Sequence, residues 1–159
     1  MSYIDDNLMS GEQVIYRSKL HWVVVAIPII FAVIIALIAL VLLFTGGDAV
    51  GVGYFFLFFL LIAIIWVISS FISFKTSEFG VTNKRVLVKV GWIRRNSLET
   101  LLAKVEGIQI NQGILGRILN YGTIVVKGIG GTSNPFHKIE APFEFRKKVQ
   151  EQIDSIQRQ

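Results

Sequence analysis

Residues 22–44 read WVVVAIPIIFAVIIALIALVLLF, and residues 49–74 read AVGVGYFFLFFLLIAIIWVISSFISF. Neither stretch contains Asp, Glu, Lys, Arg or His. Crossing about 30 Å of hydrocarbon at about 1.5 Å per residue takes about 20 residues. Both stretches are long enough. A pair of core helices in a soluble bundle would carry charge on the outer face, and these do not. The apolar part of a signal peptide runs only about 7–15 residues, so the first stretch reads as a retained helix. The rest of the chain is organised around this hairpin. The expected limits are spans of about 22–44 and 51–74 with an external loop over 45–50, a segment 1–20 before them and a domain over 75–159.

Orientation follows from Lys and Arg near the span ends. Arg17 and Lys19 precede the first span. The connecting loop has Asp48 and no basic residue. Lys75, Lys84, Arg85, Lys89, Arg94 and Arg95 follow the second. The expected location is a bacterial plasma (inner) membrane, crossed twice, with both termini cytoplasmic. Trp22 and Tyr54 stand where aromatic belts form, and Pro28 is expected to kink the first helix. Spans without ionisable groups argue against an ion or proton pathway built from this chain alone. They read as an anchor.

The composition of residues 75–159 is different. This segment holds 14 Lys and Arg against 7 Asp and Glu, although the whole chain is only +5. Apolar and polar residues alternate with period two between turn residues. Glu78–Thr82 and Arg85–Val90 read as strands joined by a turn at Asn83-Lys84. Trp92–Leu102 supplies a third. Val105–Asn111 alternates, with Val105, Gly107, Gln109 and Asn111 on one face and Glu106, Ile108 and Ile110 on the other. Thr123–Lys127 is a further strand, Gly128–Asn134 a Gly-rich turn, and Pro135–Ile139 a short edge strand. Pro142 suits the first turn of a closing helix, whose Phe145, Val149, Ile153 and Ile156 form one apolar stripe. The N-terminal run Glu12–Lys19 also alternates and is expected to add a strand to the domain's sheet.

Several runs carry a resemblance. Gly80-Val81-Thr82-Asn83-Lys84-Arg85-Val86 resembles the start of the second family of bacterial pleckstrin-homology-like (PH-like) domains. Leu115-Gly116-Arg117-Ile118-Leu119-Asn120-Tyr121-Gly122-Thr123 is similar to that family's most recognisable internal motif, with Gly116, Arg117, Tyr121 and Gly122 as its structural residues. Gly130-Gly131-Thr132 with Pro135-Phe136 resembles its late turn, and Pro142–Arg146 the start of its closing helix. The resemblance covers about 80 C-terminal residues. The two preceding spans resemble the arrangement of the small YdbS-like membrane members. The implied fold class is a membrane α-helical hairpin of two transmembrane helices plus a mainly-β PH-like domain. That domain would have two bent antiparallel sheets capped by a C-terminal α-helix. The leading expectation for function is a non-catalytic membrane-anchored binding or assembly module. A sensor of anionic lipid head groups, or an accessory subunit of a transporter or envelope-stress system, are the competing readings. Fold alone does not choose among them.

The lipid-contact candidates are Lys75, Lys84, Arg85, Arg94, Arg95 and Arg117. Basic residues close to an anionic leaflet contribute roughly 1 kcal/mol each. The simpler reading is that they only set orientation. Ile114–Leu119 is apolar around one cation. It reads first as a one-turn helix packing on the sheet, with Gly116 and Gly122 present for backbone shape. The competing reading is a membrane-dipping or partner-binding turn from which Arg117 reaches phosphate. The run Lys127–Ser133 has neither the spacing nor the following helix of a phosphate loop. His21 and His137 show no metal-ligand spacing, and Ser97, Glu99 and His137 define no triad. No cofactor, metal site, enzymatic activity or nucleic-acid partner is expected. The expected partners are the bilayer, anionic head groups, and a membrane protein or a second copy of the chain. The chain has no cysteine, so disulfides and thiol chemistry are excluded.

Overall fold

The computed structural model describes residues 3–47, 49–91, 96–129 and 133–158. The elements in order are α1 (Tyr3–Asp6), β1 (Val14–Ser18), α2 (Val23–Thr45), α3 (Ala49–Thr76), β2 (Glu78–Thr82), β3 (Arg85–Val90), β4 (Asn96–Leu101), a 3-10 turn (Leu102–Lys104), β5 (Val105–Asn111), α4 (Ile114–Leu119), β6 (Tyr121–Gly128), β7 (Ser133–Glu140) and α5 (Pro142–Gln157). They form two units. One is Trp22–Lys75; the other joins Met1–His21 to Thr76–Gln159.

The helical unit is α2 and α3. Both are long and apolar enough to cross a membrane. Only 17% and 6% of their most apolar windows are buried, so the described residues do not cover them as a soluble core would. Gly46 and Gly47 take positive φ and turn the chain sharply. α2 ends at Thr45 and α3 starts at Ala49. The two helices approach closely at Gly53 and Ala63 of α3, which are buried. A Cβ on Gly53 would meet Leu43 at 2.9 Å, and Phe31 meets Trp66 edge-on at 6.1 Å. Close approach at small residues is how apolar helices pack when water does not drive them together. α2 continues past Pro28, which is buried.

The second unit is PH-like, with two antiparallel sheets and a C-terminal helix. The sheet orders are β1-β2-β3-β4 and β5-β6-β7. The inner face of the first sheet carries Phe79, Val81, Val86 and Val88, paired Phe79 to Val88 and Val81 to Val86. All four are fully or almost fully buried. Phe79 meets Phe136 of β7 across the core at 6.0 Å. α5 packs against both sheets through Phe145 and Val149, which are buried. Its apolar stripe then fades, since Ile153 is half-buried and Ile156 exposed.

The alternating N-terminal run forms β1 and pairs antiparallel with β2, Ser18 opposite Phe79. Beyond β1, Leu20 bridges to Ile139 of β7. His21 N–H donates to the Lys138 carbonyl at 2.7 Å, and Glu140 N–H donates to the Lys19 carbonyl at 3.0 Å. The run 14–21 thus edges the first sheet and then joins the second. The apolar helices are an insertion between neighbouring strands β1 and β2.

Three readings are corrected in detail. A bulge between Val105 and Gly107 shifts the alternation of β5 by one residue. Val105 therefore turns inward with Ile108 and Ile110, while Glu106, Gln109 and Asn111 are exposed. Ser133 and Asn134 belong to β7, an eight-residue strand, and not to a turn. Leu102, read as the end of the third strand of the domain segment, opens the 3-10 turn instead, and among the described residues that strand is β4, Asn96–Leu101; residues 92–95 of that run lie outside the described residues, as do residues 130–132 of the late turn.

Candidate functional site

The motif at Gly80–Arg85 closes on the N-terminal segment. Gly80, Thr82 and Arg85 share the outer face of the first sheet, opposite the core. Ile4 of α1 lies over Gly80, where an added Cβ would meet its Cδ1 at 2.8 Å. Asn83 Oδ1 accepts from Gln13 N–H at 3.0 Å, and Lys84 Nζ donates to the Ser10 carbonyl at 2.9 Å. Arg85, only 5% exposed, grips Glu12 with Nε at 3.0 Å and Nη2 at 3.1 Å. Its Nη1 donates to Glu99 at 2.6 Å, and Nη2 also donates to the Asn7 carbonyl. Thr82 Oγ1 donates to Glu12 at 2.7 Å, and Met9 N–H donates to the other Glu12 oxygen at 2.8 Å. A buried bidentate pair with its remaining valences filled is stable because few polar atoms are left unsatisfied.

The protonation states follow. Burial alone would raise the Glu12 carboxyl; the bonds from Arg85, Met9 N–H and Thr82 outweigh it and hold the group at about 2. The same contact with Glu12 raises Arg85 further. Glu12 lies before β1, and the bulge between Val14 and Tyr16 breaks its phase with Tyr16 and Ser18, so it meets Thr82 and Arg85 on the outer face.

Arg85 is therefore withdrawn from the lipid-contact candidates, because its guanidinium is enclosed. Lys84 is exposed but stands at the β2–β3 turn. Strands rise about 3.3 Å per residue, so that turn is on the order of 15 Å from Glu78, where the chain enters the sheet. Lys75 is exposed in the last turn of α3 and lies over the Phe71 ring at 5.8 Å. Arg117 is exposed on α4. Arg94 and Arg95 lie outside the described residues. Within the PH-like unit Lys84 stands on the β2–β3 turn of the first sheet and Arg117 on the β5–β6 connection of the second. Glu99 is engaged by Arg85 and by Tyr3, whose hydroxyl donates at 3.0 Å, while His137 Nδ1 meets Thr123 Oγ1 at 3.1 Å on the other sheet.

The Leu115–Thr123 motif builds a different surface. Gly116 is the buried residue of α4. A Cβ there would lie 2.5 Å from the Tyr121 carbonyl oxygen, so only glycine permits this seat. Gln112 Nε2 donates to the carbonyls of Gly116 and Tyr121 at 2.9 and 3.0 Å. Asn120 ends the helix in the left-handed region and its N–H bonds back to Gly116. Gly122 packs closely on Pro142 and the Asn111 carbonyl. With α4 held this way, its apolar side chains face outward. Ile114, Leu115 and Ile118 are 80%, 66% and 73% exposed. The helix packs on the sheet as expected, and it does so through Gly116, which leaves the aliphatic groups outside. His21 stacks on Tyr121 at 5.1 Å, and its ring hydrogen-bonds to the backbone of Leu119. Burial lowers the His21 imidazole below its usual range, against the opposing effects of Glu140 and the Leu119 bond.

The fold and these motif contacts define a PH-like domain with an inserted apolar hairpin. Residues 19–153 match the family model described as Bacterial PH domain, and the chain belongs to that family. The match starts at Lys19 and so includes both apolar helices, beyond the roughly 80 C-terminal residues of the motif resemblance. No curated protein and no solved structure matches the chain.

Proposed function

We propose that this protein is a non-catalytic binding or assembly module, anchored by its hairpin and held on the cytoplasmic face of a bacterial plasma membrane. One observation carries the reading. Two uncovered apolar helices are the chain between adjacent strands of one folded unit. β1 and β2 cannot pair across a bilayer, so a hairpin that enters lipid must return to the side it left. The basic flanks Arg17, Lys19 and Lys75, against a loop without Lys or Arg, favour the cytoplasm for that side. Membership of the bacterial PH domain family supports binding over catalysis. The enclosure of Arg85 and the bond from Lys84 Nζ to the Ser10 carbonyl weaken the reading of a head-group sensor at the β2–β3 turn.

The absence of native cysteine makes the test direct. Single variants Gln13→Cys, Thr45→Cys and Gln157→Cys are treated in intact cells with a membrane-impermeant maleimide. Thr45→Cys is expected to label at once, and the other two only after lysis. Labelling of Gln13→Cys and Gln157→Cys on opposite sides, or release of the chain by alkaline carbonate, overturns the reading.

A further inference from the structure

Outside the two apolar helices, the most exposed large aliphatic side chains among the described residues are Ile114, Ile118 and Leu115. They occupy one six-residue helix that carries Arg117 and no acidic residue. A soluble surface rarely gathers such groups without a partner. Their outward aim is built into the backbone: Gly116 seats α4 against Tyr121, and Gln112 and Asn120 fix its two ends.

We infer that α4 is a wedge for the lipid interface of the membrane that the hairpin crosses. The inference rests on that crossing. The occupant follows from where α4 is tied. Its last residue, Leu119, bonds the ring of His21, and Tyr121 stacks on the same ring. His21 is two residues before Val23, the start of α2. Two residues span at most about 7 Å, so His21 stays within that reach of α2's first turn. The same corner holds Lys19 and Lys138, whose carbonyls accept from Glu140 and His21. An outward aliphatic helix that carries Arg117 matches an interfacial position, where the apolar face enters the acyl boundary and the charge stays at the head groups. A soluble protein partner would need to approach a surface tied this closely to the start of an apolar helix.

The test uses the full chain in lipid nanodiscs. Single-cysteine variants Leu115→Cys, Leu61→Cys and Asp154→Cys carry an environment-sensitive fluorophore, and the lipids carry a nitroxide near the glycerol or near the chain end. The Leu115 label is expected to lose more than half its emission to the shallow nitroxide and less to the deep one. The Leu61 label in α3 should show the opposite order, and the Asp154 label on α5 should be indifferent to both. A Leu115 label that stays bright while Leu61 is quenched overturns the wedge and leaves the spans standing; water or a protein then meets α4. A bright Leu61 label overturns the crossing itself, and the wedge with it. A second measurement places the Leu115 label in an Ile114→Ser/Ile118→Ser chain. Both residues are exposed, so folding should be unaffected, and the emission should recover. Undiminished quenching there would overturn the inference, because the neighbouring side chains would not be what seats α4.

Discussion

Arg85 is the residue on which the N-terminal segment closes. It holds Glu12, Glu99 and the Asn7 carbonyl from a nearly inaccessible position. Removing one partner of a buried pair leaves the other charge unsolvated, which costs about 3–5 kcal/mol. Arg85→Ala should destabilise the β-rich unit by that amount in chemical denaturation followed by far-UV circular dichroism. Arg85→Lys should recover only part, since an ammonium cannot make the two parallel bonds to Glu12. Glu12 makes the cluster sensitive to acid. Its folded carboxyl lies at about 2, below the ordinary 4.5 that the unfolded chain approaches. Between those values the unfolded state binds more protons. The stabilisation is thus complete above 4.5 and lost as pH falls through about 2. At about 1.4 kcal/mol per unit the full effect is on the order of 3 kcal/mol. Denaturation midpoints measured across that window should fall steeply for the native chain and much less for Glu12→Gln.

At the scale of elements, α4 shows how a single glycine can determine which side chains face out. Gly116→Ala places a methyl carbon 2.5 Å from the Tyr121 carbonyl oxygen, a backbone atom with little freedom to move. Forcing α4 away should cost about 1–3 kcal/mol, as overpacking generally does. Gly113→Ala, three residues earlier, has open space and an ordinary φ of −77°, so its melting temperature should stay close to the native value. α4 also marks a limit of what the sequence discloses. Ile114, Leu115, Ile118 and Leu119 surround a helix of under two turns, and six residues are too few for periodicity to separate inside from outside. β2 and β6 were legible because their alternation runs undisturbed, and β3 because its β-branched residues stand between turn residues. β5 was legible as a strand but not in its faces, because the bulge at Val105 inverts the phase that alternation assumes. Arg85 was misplaced for another reason. Its partner Glu12 lies 73 residues away in the chain, with both apolar helices between them, and no local pattern reports such a distance.

For the whole molecule, the hairpin was the most legible feature, since its length and lack of charge settle the two helices without any tertiary information. What that reading hides is that the domain starts before them. Residues 3–21 supply an edge strand, the cover over Gly80 and the bridge to β7, so a domain cut at residue 75 lacks β1 and leaves Arg85 facing water. The folded unit, by contrast, places its two broken ends together, because Ser18 stands opposite Phe79 on adjacent antiparallel strands. Three residues lead out from Ser18 to His21 and three lead in from Thr76 to Phe79, a total reach of at most about 25 Å including the strand spacing. A chain in which residues 22–75 are replaced by about ten Gly and Ser residues can therefore close β1 onto β2 without strain. It should melt in one cooperative transition, whereas residues 75–159 alone should bind hydrophobic dyes and melt broadly. The closed chain still exposes Ile114, Leu115 and Ile118, so it should need mild detergent to remain monomeric, and serine at those three positions should remove that need without lowering the melting temperature. If the closed chain fails to fold while the full chain in detergent is well ordered, the apolar helices contribute to the domain's own core, and the division into two units is wrong.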